Sequence, residues 1–206
     1  MNNKVNIAVL VSGGGTNLQA LINAQKSGII TSGEIKLVVS SNKNAYALKR
    51  AENAGIKTAV CDRKGFSQKE FEENILNALE KEEIEVIVLA GFMSILSADF
   101  VKRYPERIIN VHPSLIPSFC GEGFYGLRVH KAALDYGVKV TGATVHFVNE
   151  IPDGGRIIMQ KAVDIEENDT PEALQKRVME NAEWIILPAA AEKVCKEIKE
   201  RKNERI

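Results

Sequence analysis

The stretch Ile108-Ile109-Asn110-Val111-His112-Pro113-Ser114-Leu115-Ile116-Pro117 carries two polar side chains at the end of an apolar run and is then stopped by proline. In an extended chain Asn110 and His112 point to one face, because side chains alternate with period two. Pro113 biases His112 toward the same extended conformation and fixes where the imidazole emerges. A carboxamide beside a titratable ring suits attack on a carbonyl group. The amide N–H can hold a developing oxyanion, and the ring can move a proton. The same residues also fit a plain turn after an edge strand, with a histidine hydrogen-bonded for structure.

Three other stretches add chemistry. Ser12-Gly13-Gly14-Gly15-Thr16-Asn17 lies between an apolar run and a helical pattern, so its backbone N–H groups can face an anion such as phosphate. No Gly-Lys-Ser/Thr follows, which excludes a P-loop, and Leu18 stands where a dinucleotide fingerprint needs its third glycine. A second stretch, Ile151-Pro152-Asp153-Gly154-Gly155, presents a carboxylate on a tight turn. Near His112 that carboxylate would orient the ring and raise its pKa; standing alone, the same residues make a hairpin turn. Thr144 and His146 share one strand face and fit either the lining of a cleft or strand packing. His130, on a helix, fits a structural or exposed role. Three scattered histidines with no carboxylates at ligand spacing give no metal site.

The elements that must position these groups read as α/β. Val5 to Val11 is a short, β-branched run suited to a strand buried on both faces, and Leu18, Leu21 and Ile22 follow at helical spacing. Ile35 to Val39, Lys57 to Cys61, Glu85 to Ala90 and the Asn110/His112 strand continue the series, separated by helices around Ala45–Ala54, Phe71–Leu79 and Ala98–Tyr104. The main glycine or polar interruptions fall just after strands, where open parallel sheets bind ligands. The second half differs. Residues 113–128 read as loop, Val129–Tyr136 as helix, and Lys139–Asn149 with Arg156–Val163 as a strand pair around the Asp153 turn. Asp169 or Thr170 caps a long helix whose buried stripe is Leu174, Val178, Ala182 and Ile185. Pro188 should kink that helix, and Lys196 to Ile206 reads as a solvated, fraying end.

Composition narrows the class. The 206 residues fit one domain, with 27 basic residues against 27 acidic ones, a balance that argues against a nucleic-acid-coating protein. Three distant cysteines form no zinc or redox spacing and fit a reducing compartment. The N-terminus shows no signal-peptide pattern, and no apolar run reaches membrane-spanning length, so a cytoplasmic location is expected.

Taken in order, Ser12-Gly13-Gly14-Gly15-Thr16-Asn17-Leu18, Leu89-Ala90-Gly91-Phe92-Met93, Asn110-Val111-His112-Pro113-Ser114-Leu115, Thr144-Val145-His146-Phe147-Val148 and Asp153-Gly154-Gly155 closely resemble the phosphoribosylglycinamide formyltransferases. These are the folate-dependent glycinamide ribonucleotide transformylases of purine synthesis. The resemblance runs from Val5 to about Pro188. It implies a single Rossmann-like domain over residues 1–206: a mostly parallel sheet flanked by helices, with an antiparallel hairpin in the C-terminal half. The N-terminal half would bind phosphate and the C-terminal half would bind folate and catalyse.

By position, the resemblance implies that Asn110, His112 and Asp153 are catalytic, with Thr144 and His146 supporting them. Gly15, Thr16, Asn17 and Glu183 would bind the ribonucleotide. Lys69, Phe92, Met93, Ser94, Ile95 and Asn110 would contact 10-formyltetrahydrofolate, the cosubstrate, and no metal is implied. Ser94 stands where relatives place arginine, and Ser118–Tyr125 is longer than the usual loop after the histidine motif. The implied partners are the two small molecules, without nucleic acid or membrane, for a monomer or homodimer. A formyltetrahydrofolate hydrolase or a methionyl-tRNA formyltransferase would share the central motif but carry an additional domain. A nucleotide-sensing module would use the glycine turn alone.

Overall fold

A computed structural model of the chain describes residues 4–204; the expectations for Met1 to Asn3 and for the last two residues lie outside them. Strand β1 (Val5–Val11) shows why its sequence is apolar on both sides. Val5, Ile7, Val9 and Val11 enter one hydrophobic layer, and Ala8 and Leu10 enter the other. Period-two alternation with no polar face requires cover on each side of the sheet. Helices α1 (Thr16–Lys26), α2 (Tyr46–Asn53), α6 (Pro171–Val178) and α7 (Trp184–Asn203) supply one layer. Helices α3 (Gln68–Lys81) and α4 (Ala98–Arg103) supply the other.

The remaining strands are β2 (Gly33–Ser40), β3 (Lys57–Val60), β4 (Val86–Leu89), β5 (Ile108–His112), β6 (Val140–Phe147) and β7 (Ile157–Asp164), with α5 (Leu127–Tyr136) between β5 and β6. They form one seven-stranded sheet in the order β3-β2-β1-β4-β5-β6-β7. The pairings from β3 to β5 are parallel, whereas β5–β6 and β6–β7 are antiparallel. The chain winds outward from β1 to β3 and then returns across β1 to β4. Loops after β1 and β4 therefore diverge and open a crevice at their carboxyl ends.

Two expectations for the C-terminal helix need correction. Ile185 is 51% exposed, while Ile186 and Leu187 are buried. A π turn at Met179–Glu183 inserts one residue between α6 and α7, so the apolar stripe changes phase at that point. The charged tail is not a free end either. Helix α7 continues to Asn203, buries Ile198, and pairs Lys202 with Glu85 beside β4. Pro188 lies inside α7, in the second turn after the π segment.

Candidate active site

Strand β5 ends as its sequence demands: Ile109 and Val111 are buried in one layer, and Asn110 and His112 share the other face with buried Ile108. Antiparallel pairing places Asn110 opposite His146 and His112 opposite Thr144. That register brings two imidazoles and a carboxamide to one end of the β5–β6 ladder. The turn after β6 then supplies Asp153, held at φ 55, a left-handed conformation uncommon for a residue with a Cβ. Gly155 follows because a Cβ there would lie 1.7 Å from the Phe147 carbonyl oxygen, so the turn can close only on glycine.

Asp153 sits between the two rings. Its Oδ2 is 3.4 Å from His112 Nδ1, and its Oδ1 is 3.5 Å from His146 Nε2. Burial pushes the Asp153 carboxyl up, but His146, His112 and the Gly121 N–H outweigh it and hold the group below the ordinary carboxylate range. Asp153 is therefore ionised near neutrality.

Asp153 pulls His112 in the expected direction, but a larger opposing effect acts on the same ring. Burial draws its pKa below the ordinary imidazole value, against the opposing pull of Asp153 and the Phe119 carbonyl. The ring is 4% exposed, and loss of hydration outweighs one nearby carboxylate. Its Nε2 lies 2.9 Å from Phe119 O, and a carbonyl only accepts, so that nitrogen carries the proton. The Nδ1 edge is left facing Asp153.

His146 donates Nδ1–H to Phe147 O at 2.8 Å. Its Nε2 lies 3.3 Å from Asn110 Nδ2 and 3.5 Å from Asp153 Oδ1, so this edge of the ring faces both the carboxamide and the carboxylate.

Thr144 does not line the cleft. It is fully buried, donates to Ser114 O at 2.7 Å, and accepts from Ile116 N–H and Gln160 Nε2. Its hydroxyl holds the turn that follows His112. Gln160, on β7, has no motif to betray it in the sequence. Phe119 and Gly121 lie in the loop after Pro117 and touch His112 and Asp153 through backbone atoms alone, which no pattern of side chains reports.

A cavity of about 140 Å³ opens beside this cluster, walled by Phe92, Ser94, Ile95, Leu96, Asn110, His146 and the turn from Asn149 to Asp153. Phe92 stacks on the core ring of Phe71, 6.3 Å between centroids. Met93 is on the same loop but 61% exposed and outside the wall. Lys69 is not brought to this cavity: it stands on the exposed face of α3, 3.9 Å from Glu73.

At the other end of the crevice Gly15 is the N-cap of α1 at φ 73, with no side-chain cap over the helix start. Thr16 and Asn17 form its first turn. Asn17 Nδ2 donates to Glu183 at 2.6 Å, and Asn17 Oδ1 is buried without a partner. Burial raises the Glu183 carboxyl, opposed by that Asn17 hydrogen bond. The π turn places this glutamate, 166 residues away in sequence, against the glycine turn. A larger apolar groove of about 490 Å³ lies between α1 and α7, from Thr16 to Pro188, and contains none of the catalytic candidates.

His130 is wholly buried on α5, and neither ring nitrogen has a hydrogen-bond partner. Burial, aided by the charge of nearby His112, lowers its pKa to about 4.

The arrangement can polarise a carbonyl, relay a proton and anchor an anion at the far end of one crevice. Comparison with known proteins agrees with this chemistry. Residues 5–190 match the family described as formyl transferase. A phosphoribosylglycinamide formyltransferase of Haemophilus influenzae is 43% identical over 183 residues, covering 88% of this chain and 83% of that protein. The trifunctional purine biosynthetic protein adenosine-3 of Gallus gallus is 49% identical over 194 residues, 94% of this chain but only 19% of that longer protein. The crystal structure of glycinamide ribonucleotide transformylase 1 from Symbiobacterium toebii superposes with a TM-score of 0.88 at 36% identity, covering 96% of this chain and 90% of that one. With a family match across nearly its whole length and solved relatives that share its sheet, the chain belongs to the formyl transferase family.

Proposed function

We propose that this chain transfers the formyl group of 10-formyltetrahydrofolate to the primary amine of glycinamide ribonucleotide, in purine synthesis. The observation that carries this reading is the meeting of the Asp153 carboxylate with the His112 ring beside the Asn110 carboxamide. The amine lone pair attacks the formyl carbon, and the carbonyl electrons move to oxygen. Asn110 Nδ2–H and His112 Nε2–H donate to that oxyanion. For this His112 must release Phe119 O, its present acceptor, so the loop carbonyl yields to the substrate oxygen.

Burial keeps the resting ring neutral, and the negative charge that develops beside it favours the imidazolium. Asp153 stabilises that cation through Nδ1 and holds the ring in place. The attacking nitrogen gives its proton to the His112–Asp153 pair; the C=O bond then re-forms as the C–N10 bond breaks, and that proton passes to N10, which leaves as tetrahydrofolate.

On this reading the glycine turn at Gly15, Thr16 and Asn17 cradles the ribonucleotide phosphate, with Glu183, held by Asn17 Nδ2, beside the ribose. Phe92, Ser94, Ile95 and Asn110 receive the folate heterocycle, with Met93 and Lys69 further out. The partners are the two small molecules, and the setting is cytoplasmic; among the described residues no helix is long and apolar enough to cross a membrane.

The test is incubation with both substrates while tetrahydrofolate release and formylated ribonucleotide are followed together. One formylated product per folate released is expected. Folate release at the same rate without the ribonucleotide would mark a hydrolase instead, and binding with no release would leave only a nucleotide-sensing module.

A further inference from the structure

The crevice between β1 and β4 is bridged at its floor by one side chain, Ser12, and it touches neither proposed substrate site directly. Its Oγ accepts from Met93 N–H at 2.9 Å and lies 2.7 Å from Ser41 Oγ, while its own N–H donates to Gly91 O at 3.1 Å. Ser41 N–H in turn donates to Val11 O, so the β2 end is fastened to the same point. Ser12 is the last residue before the glycine turn, and Gly91 to Met93 begin the loop that walls the folate cavity. Three loops, from β1, β2 and β4, are thus tied to one hydroxyl at the switch point of the sheet.

We infer that Ser12 is a positioning residue that sets the spacing between the anion-holding turn and the heterocycle loop, and hence between the two reacting groups. This rests on the proposed formyl transfer. Each loop keeps its own ligand contacts without the clasp: the α1 N-terminus still faces the phosphate, and Phe92 still packs on Phe71. What is lost is their registration. Transfer between two bound molecules needs the reacting atoms held at about 3–3.5 Å, and a displacement of about 1 Å can cost 10²-fold. The effect therefore belongs in turnover of the ternary complex and not in the binding of either partner alone.

The experiment compares Ser12→Thr with Ser12→Val, an isosteric pair that differs in the hydroxyl. Ser12→Ala serves as the smaller variant should the branched side chains disturb folding, and thermal melting is checked for each. Wild-type transfer is measured first, so that failure of the formyl-transfer reading shows itself before any variant is compared. With that in hand, Thr should retain kcat while Val and Ala lose about tenfold or more, with binary dissociation constants for glycinamide ribonucleotide and for tetrahydrofolate within about twofold of wild type. Ser41→Ala, which leaves the Met93 bond in place, should fall between. Equal kcat in the Thr and Val variants, or a loss residing wholly in binary ribonucleotide binding, would overturn the assignment.

Discussion

At one end of the crevice the glycine turn offers backbone, with Gly15 at φ 73 packed so closely that a Cβ would lie 2.6 Å from the Cβ of Ala47. At the other end Asn110, His146, Asp153 and His112 offer side chains, linked in that order by contacts of 3.3 to 3.5 Å and delivered by strand register and one strained turn. A backbone site depends on what is missing from the side chain; a side-chain site depends on which atoms are present and protonated. On the proposed function, the first would bind an anion whatever its neighbours' pKa values, and the second would work only in the right charge state. Substitutions should therefore sort cleanly, with binding damaged at one end and turnover at the other.

The largest effect is expected at the side-chain end. On the proposed mechanism, Asp153→Asn removes the charge that would stabilise the His112 cation, and Asn110→Ala removes the proposed oxyanion donor. Losses of about 10²–10⁴ and 10²–10³ in kcat are expected, with ribonucleotide KM within a few-fold. Steady-state kinetics on purified variants checks this, and a KM change as large as the kcat change would dissolve the contrast between the two ends.

Next in size is an effect on stability behind the same end. His130 has a folded pKa of about 4 against an ordinary value of 6.5. The unfolded chain takes up the proton first, so its contribution to stability is complete above pH 6.5 and is lost progressively down to about pH 4. At about 1.4 kcal/mol per pH unit this is on the order of 3 kcal/mol. Chemical denaturation of wild type and His130→Leu across that window should show the slope in wild type and a flatter profile in the variant. Parallel profiles would remove His130 from the acid response.

The smallest effect is expected at the backbone end. Gly15→Ala puts a Cβ against Ala47 at a positive φ, which costs about 1–3 kcal/mol. Ribonucleotide KM should rise about tenfold, with kcat at saturation retained. A collapse of kcat at saturation would mean that the turn also places the reacting groups.

How much of this was legible in the chain follows the same divide. The β-branched runs of β1 and β4 announce a doubly covered sheet, and Ser-Gly-Gly-Gly-Thr-Asn announces an uncapped helix start, because both are local patterns. Asn110 and His112 could be placed on one face from alternation alone. Their meeting with Asp153 could not, since it depends on the antiparallel register of β6 and on a turn that Gly155 alone permits. Thr144 looked like a cleft residue because alternation puts it on the face of His146; the structure spends its hydroxyl on the turn after His112. The upward pull of Asp153 on His112 is legible from sequence, whereas the burial that outweighs it is not, because the depth of a side chain cannot be read from its neighbours in the chain. In the sequence Ser12 reads only as the start of the glycine turn; its bridging role is not legible there, its partner Met93 being 81 residues distant.

The single extra residue carried by the π turn has a consequence for any redesign of this chain. At 3.6 residues per turn, deleting one position between Met179 and Glu183 would let α6 run straight into α7 while rotating everything beyond by about 100°. Such a shortened protein could keep an unbroken hydrogen-bond ladder and still mislay the one carboxylate that reaches Asn17. At that joint a more regular helix would be the less capable one.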